Sequence, residues 1–252
     1  MKTLIIDELC IGVTRKCNNR CLHCMRGDAQ NVDLSLEDID TLFHNDDFEI
    51  RGINSLVITG GEPTLNSSAI IKIINEIMEH EIALKSFTMV INGRIYKQEL
   101  ADSLCMLYQY SKKFFDDGDF DLICSLDQFH TKPNESNLEA YQKLPFFLGM
   151  FRNLPNEDIL RIGRASENNL GSLEMNSFFY YMYSHYRNNN NPTMDVQDDG
   201  SIVLNQLYLS AKGKYGFHYM DSTYDMIDAL CVYDYEQLKN LIIENAKVRR
   251  IF

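Results

Sequence analysis

No stretch of the 252-residue chain approaches the roughly 18 consecutive apolar residues of a membrane-spanning helix, so a membrane partner is not expected. Basic residues are scarce: 24 Lys and Arg stand against 36 Asp and Glu, a formal net charge of -12. Without a cationic surplus there is little to displace counterions from a phosphate backbone, so no nucleic-acid partner is expected either. No secretory signal is expected, because Met1 to Ile6 meets Asp7 and Glu8 after a few apolar residues. With seven cysteines, an odd number, this predicts reduced thiols and a cytoplasmic location. Internal repeats are absent apart from an alternation of strand and helix. The one candidate linker is Asn188 to Pro192, which divides the chain into a core over 1–190 and a smaller piece over 191–252.

What is present has the composition of a globular domain, 45% hydrophobic and 24% charged, and is long enough for one sizeable core. Residues 8 to 14 read as a short buried strand. Ser35 with Asp38 three residues on resembles a capping box, and Ile39, Leu42 and Phe43 then recur at helical spacing. Ser55 to Thr59 predicts a second strand, followed by a helix from Asn66 or Ser67 with Ile70, Ile73, Ile74, Ile77 and Met78 inward. Ser86 to Ile91 is a third strand before a helix with Leu100, Leu104, Leu107 and Tyr108 inward. Phe120 to Asp127 is a fourth, ahead of a helix near Asn137 to Phe147, and Asp158 to Ile162 a fifth. Beyond the ring-rich run Phe178 to Tyr186 come two short strands, Ser201 to Leu204 and Leu207 to Ser210. A turn at Lys212-Gly213-Lys214 and a final helix over Glu236 to Val248 complete the chain.

Strands alternating with helices imply parallel pairing through right-handed crossovers, with functional loops at the carboxyl ends of the strands. The units are too few for a closed eight-stranded barrel. The expected fold class is α/β, a partial (β/α)6 TIM-type barrel with a small C-terminal β-hairpin and helix extension.

The loop after the first strand carries Cys17, Cys21 and Cys24. Three soft thiolates suit an iron-sulfur cluster whose fourth iron stays open to an exogenous chelator. A zinc knot would want a fourth Cys or His; His23 is adjacent to Cys24 and would reach the same ion only under strain. A redox disulfide would leave one thiol unexplained. At the next strand end, Gly60-Gly61-Glu62-Pro63 is either a tight turn or a place where backbone approaches a ligand closely.

Cys17-x-x-x-Cys21-x-x-Cys24, with the ring of His23 before the last thiol, resembles the cluster loop of the radical SAM superfamily. Gly60-Gly61-Glu62, one strand-helix unit later, resembles the GGE motif of the same family. The resemblance implies a 4Fe-4S cluster on Cys17, Cys21 and Cys24. It also implies S-adenosylmethionine (SAM) chelating the open iron, and reductive cleavage to a 5′-deoxyadenosyl radical that abstracts a substrate hydrogen. It assigns His23, Gly60, Gly61 and Glu62 to the cofactor side, Glu62 toward the SAM amino group.

Asn92-Gly93 resembles the family's next SAM-side segment, though alone it is an ordinary turn. Ser125 and Asp127 alternate with Leu126 and so share a face, where hydroxyl and carboxylate can hold a ribose diol as similar segments do in family members; a solvated strand end is the bland reading. Gly163-Arg164-Ala165 resembles a segment near adenine and the SAM carboxylate, with Arg164 suited to the latter; a small-residue core turn competes. His130 is a candidate proton carrier or an exposed loop residue.

Leu207 to Gly213 resembles the hairpin that opens SPASM or twitch extensions in peptide-modifying relatives, without their cysteines. This, with the likeness of Ser125-Leu126-Asp127 to the same relatives, favours a peptide or protein substrate, and the radical SAM resemblance implies an external one-electron reductant of the flavodoxin or ferredoxin type. The rivals are a deazapurine-type small-molecule enzyme, a glycyl-radical activase, and a non-catalytic iron-sulfur or zinc binding protein.

Overall fold

The computed structural model describes residues 1–21, 24, 28–126, 130–150, 192–217 and 231–249. Five strands, β1 (Lys2–Thr14), β2 (Phe48–Gly60), β3 (Ala83–Ile91), β4 (Phe120–Ser125) and β5 (Phe147–Met150), pair in parallel in chain order. Helices α1 (Leu36–Phe43), α2 (Ser67–Glu79), α3 (Gln98–Ser111) and α4 (Glu135–Tyr141) make the crossovers. Three later strands complete the sheet: β6 (Met194–Val196), β7 (Ile202–Leu209) and β8 (Tyr215–Gly216). Its order is β5-β4-β3-β2-β1-β7-β6, with β8 on β7. This is an open α/β sheet of the partial TIM-barrel kind.

The core lies between the sheet and the helices. Ile6 of β1 and, after a break in the alternation at Asp7 and Glu8, Leu9, Ile11 and Val13 face it and are fully buried. From the helices come Ile39, Ile70, Ile73, Ile77, Leu100, Leu104 and Leu107, also fully buried. Each such side chain contributes roughly 1.5–3 kcal/mol relative to exposure. The periodicity read from the sequence is thus the periodicity that packs. Ser35 caps α1 as expected, its hydroxyl accepting from the Asp38 N–H at 3.1 Å.

Three expectations change. The fourth helix starts at Glu135, capped by Asn134, but ends at Tyr141, and Phe147–Met150 is strand rather than helix. Pro145 supplies the reason: it has no N–H and clashes with the preceding turn, so the ring-rich residues after it extend instead. The two C-terminal runs form one strand, Ile202–Leu209, because Asn205 and Gln206 continue the ladder instead of turning. β7 also pairs in parallel with β1, from Leu4↔Ile202 to Ile11↔Leu209, which makes it part of the main sheet. The hairpin turn is as read, with Gly213 at φ 68° between β7 and β8. The last helix, α5 (Tyr235–Arg249), buries Leu238 and Ile242 and packs on β6. The expected strand at 158–162 and the ring-rich run at 178–186 lie outside the described residues. No helix among the described residues is long and apolar enough to cross a membrane.

Candidate cofactor site

The thiol loop leaves β1 at Thr14, and its base is clamped from two sides. Thr14 is fully buried; its hydroxyl donates to Asp33 Oδ1 at 2.6 Å and lies 3.1 Å from the Val32 carbonyl. Lys16 Nζ pairs with Asp33 Oδ2 at 2.5 Å. Burial works to raise the Asp33 carboxyl, but Lys16 and Thr14 outweigh it and hold the group below its ordinary value. On the other side Asn66 stands at the start of α2. Its side chain makes no capping bond; its amide donates instead to the carbonyls of Val13, at 2.7 Å, and Leu34, at 3.2 Å.

The two glycines explain how β2 meets this loop. The Gly61 N–H donates to the Thr14 carbonyl and the Glu62 N–H to the Lys16 carbonyl, both at 2.8 Å. A Cβ on Gly60 would stand 2.7 Å from the Thr14 oxygen, and one on Gly61 only 2.3 Å from the Lys16 oxygen. Both obstacles are backbone and cannot swing aside. In this structure, then, the close approach that requires glycine is between two protein segments.

Glu62 is 2% exposed. Its Oε1 accepts from the Thr64 hydroxyl at 2.5 Å and the Thr64 N–H at 3.3 Å, and its Oε2 accepts from the Asn92 N–H at 2.9 Å. Burial pushes its carboxyl above the ordinary value, against the opposing pull of those bonds. Glu62 also helps burial push the neighbouring Cys124 thiol up to about 12, which keeps it a thiol at neutral pH.

Asn92 is buried and its amide is engaged at both ends, donating to Asn18 Oδ1 at 2.7 Å and accepting from the Arg94 N–H at 3.1 Å. Arg94 Nη1 reaches back to the Asn18 carbonyl at 2.5 Å and to Asn19 Oδ1 at 3.0 Å. Gly93, at φ 70°, makes this turn possible, since a Cβ there would lie 2.8 Å from Cys124 Sγ. The ends of β1, β2 and β3 are therefore tied together through the thiol loop.

Cys21 is buried and Cys17 and Cys24 are half-buried; no disulfide joins any of the seven cysteines. The Asn19 N–H points at Cys17 Sγ at 3.4 Å, the kind of donor that stabilises a thiolate. Asn19 Nδ2 is buried without a hydrogen-bond partner. Soft donors, an amide directed at sulfur and an unsatisfied donor beside them fit an anionic iron-sulfur group.

Of the other expected residues, Ser125 ends β4 half-buried, and Leu126 beside it packs against the main core. His130 is half-buried in the following bend. His23, Asp127 and Arg164 lie outside the described residues. Sequence reasoning missed Asn18, Asn66, Arg94 and the Thr14–Asp33 clamp. Only Arg94 carried a signal, its place directly after Asn92-Gly93.

The face of the sheet turned away from the helices has its own composition. Parallel register sets Gln206, Glu8, Ser55 and Ser86 in one row, and Tyr208, Cys10, Val57, Thr88 and Asp121 in the next. Val90 and Ile123 follow, Val90 46% exposed. None of these positions carries a cation.

Residues 11–108 match the model of the Radical SAM superfamily, a span that holds the thiol loop, Gly60 to Glu62 and Asn92. Over this span the chain is similar to the radical SAM superfamily. The cofactors of radical SAM proteins are a 4Fe-4S cluster and SAM. A GTP 3′,8-cyclase of Bradyrhizobium diazoefficiens is 32% identical over 106 residues, which is 38% of this chain and 30% of the relative. One from Mesorhizobium japonicum is 33% identical over 106 residues, 38% of this chain and 31% of the relative. The match thus spans under a third of these relatives' length. Among solved structures, Streptococcus suis SuiB bound to precursor peptide SuiA overlays with a TM-score of 0.40 at 11% identity, over 93% of this chain and 67% of that one. Native anSMEcpe with bound AdoMet and Cp18Cys peptide gives 0.39 at 18%, over 58% and 42%.

Proposed function

We propose that this protein is a radical SAM enzyme that cleaves SAM reductively and abstracts a hydrogen from a peptide or protein substrate. Cys17, Cys21 and Cys24 would hold three irons of a 4Fe-4S cluster. When bound, that cluster supplies the electron that splits SAM into methionine and a 5′-deoxyadenosyl radical. The protein's own part is position. Thr14, Asp33 and Asn66 fix the root of the loop, while Arg94 and Asn92 fix its Asn18-Asn19 segment. Gly60 and Gly61 bring the β2 end against it, with Glu62 locking that end to β3. On the resemblance alone, Ser125 and Asp127 are assigned to the SAM ribose, Arg164 to its carboxylate and His23 to the cofactor side; His130 stands as a candidate proton carrier on the substrate side.

The observation that supports a peptide over a nucleotide is the sheet face turned away from the helices, neutral or acidic at every position set out above among the described residues. A triphosphate would require cations there. The alternative, a nucleotide-type small molecule, is favoured by the sequence relatives, which are GTP 3′,8-cyclases. The test is anaerobic reconstitution followed by incubation with SAM and dithionite, then with peptides encoded beside the gene or with GTP. Formation of 5′-deoxyadenosine together with a mass change in a peptide supports the proposal. A modified purine overturns the substrate assignment, and four bound irons without 5′-deoxyadenosine overturn the activity.

A further inference from the structure

A second cluster of ligating side chains lies on the helical layer, built by residues that the cofactor site does not use. His44 is the C-cap of α1; Glu76 lies in the last turn of α2, and His80, four residues on, is the C-cap of that helix. Two helix ends thus converge on one carboxylate. His44 Nε2 is 2.5 Å from Glu76 Oε2, His80 Nε2 is 3.3 Å from the same oxygen, and the two ring nitrogens are 3.5 Å apart. The rings meet edge to face with centroids 4.7 Å apart. Among the described residues this is the one group of three such ligands whose donor atoms lie within 4.8 Å of one another.

Glu76 is fully buried, and both its oxygens lack a hydrogen bond of good geometry. Its Oε1 side is flanked by Lys72, which also pairs with Asp40 of α1 at 2.7 Å. A carboxylate held from behind in this way presents Oε2 to the two imidazoles. The histidine side chains are 50% and 36% exposed, so an ion could enter from solvent.

Imidazole nitrogen and carboxylate oxygen form a borderline donor set that suits zinc. Tetrahedral bonds of about 2.0–2.2 Å place ligand atoms about 3.3–3.6 Å apart. The His80 to Glu76 and His80 to His44 separations already match. The His44 to Glu76 contact must widen, and the half-exposed His44 ring has room to do so. We propose that His44, Glu76 and His80 bind one divalent transition-metal ion of the zinc class, with water completing the shell, and that the ion clamps α1 to α2. Lys72 is a positioning residue that orients Glu76.

The test uses the full chain with its cluster reconstituted, so that the three loop thiols are occupied, and Zn²⁺ as the probe. The expected result is one zinc per chain, a rise in thermal midpoint on zinc addition, and a zinc-edge absorption spectrum with nitrogen and oxygen neighbours but no sulfur. His44→Ala and His80→Ala, at half-exposed positions that should leave the fold intact, should each weaken zinc binding at least 10-fold and abolish the midpoint rise. The triple Cys17→Ala, Cys21→Ala, Cys24→Ala variant should keep the same single zinc. No zinc uptake by the reconstituted chain, unchanged affinity in both histidine variants, or sulfur in the zinc shell would overturn the proposal.

Discussion

Glu62 and Glu76 are both buried glutamates, 2% and 0% exposed, yet their surroundings could hardly differ more. Glu62, just beyond the end of β2, is served by neutral donors only: the Thr64 N–H and hydroxyl and the Asn92 N–H. Glu76, on α2, faces Lys72 on one side and two imidazoles on the other. The first arrangement ties backbone segments together around a loop. The second gathers charge and lone pairs at a surface that solvent can reach. Burial alone therefore says little about what a carboxylate is for; the kind of partner says more.

The comparison breaks most sharply at Glu62. Glu62→Ala strands two buried N–H groups and a hydroxyl, and should cost roughly 2–6 kcal/mol of stability, measurable by denaturant unfolding. SAM cleavage should fall at least about 10²-fold as the loop shifts; near-native 5′-deoxyadenosine formation would sink the positioning role. Gly61→Ala comes next, because its Cβ would meet the Lys16 carbonyl. Iron retention should be lost while the far-ultraviolet circular dichroism persists. A third effect should appear at the helical glutamate: Glu76→Gln keeps the size but removes the charge facing Lys72, at roughly 1.5–3 kcal/mol, with iron content unchanged.

The finer effects are in pH. Burial raises the Glu62 carboxyl above its ordinary 4.5, so its favourable contribution is complete below that value and is lost as pH rises through the folded value. Wild type minus Glu62→Gln, followed as a difference in thermal midpoint, should therefore shrink as pH rises above 4.5. Asp33 runs the other way. Its folded value lies below 3.8, so it stabilises above that pH and its contribution is lost as pH falls through the folded value. Asp33→Asn should lower the midpoint slightly at neutral pH and match wild type in strong acid; the effect is small because the pair is over a third exposed.

Much of the frame was legible in the residues themselves. Ile70, Ile73, Ile74 and Ile77 announce one face of α2, and the Ser35 cap announces the start of α1, because both signals are local. Pro145 is local too, and it, rather than the apolar residues beside it, decides where α4 ends. The polar ties were not legible. Glu62 meets Asn92, and Arg94 meets Asn18, across separations in sequence of 30 and 76 residues that only the sheet closes. His44 and His80 were passed over for the same reason, since each follows an ordinary amphipathic helix and their convergence depends on how those helices pack.

The insertion of β7 beside β1 has a practical consequence. A fragment trimmed to the family match, residues 11–108, or cut anywhere before Ile202, would strip one flank of β1 and leave a row of unsatisfied amides next to the thiol loop. Such an edge is a template for another chain. Shortened versions made for crystallisation should therefore self-associate, and the loop that must stay rigid would then spring from the rim of the sheet.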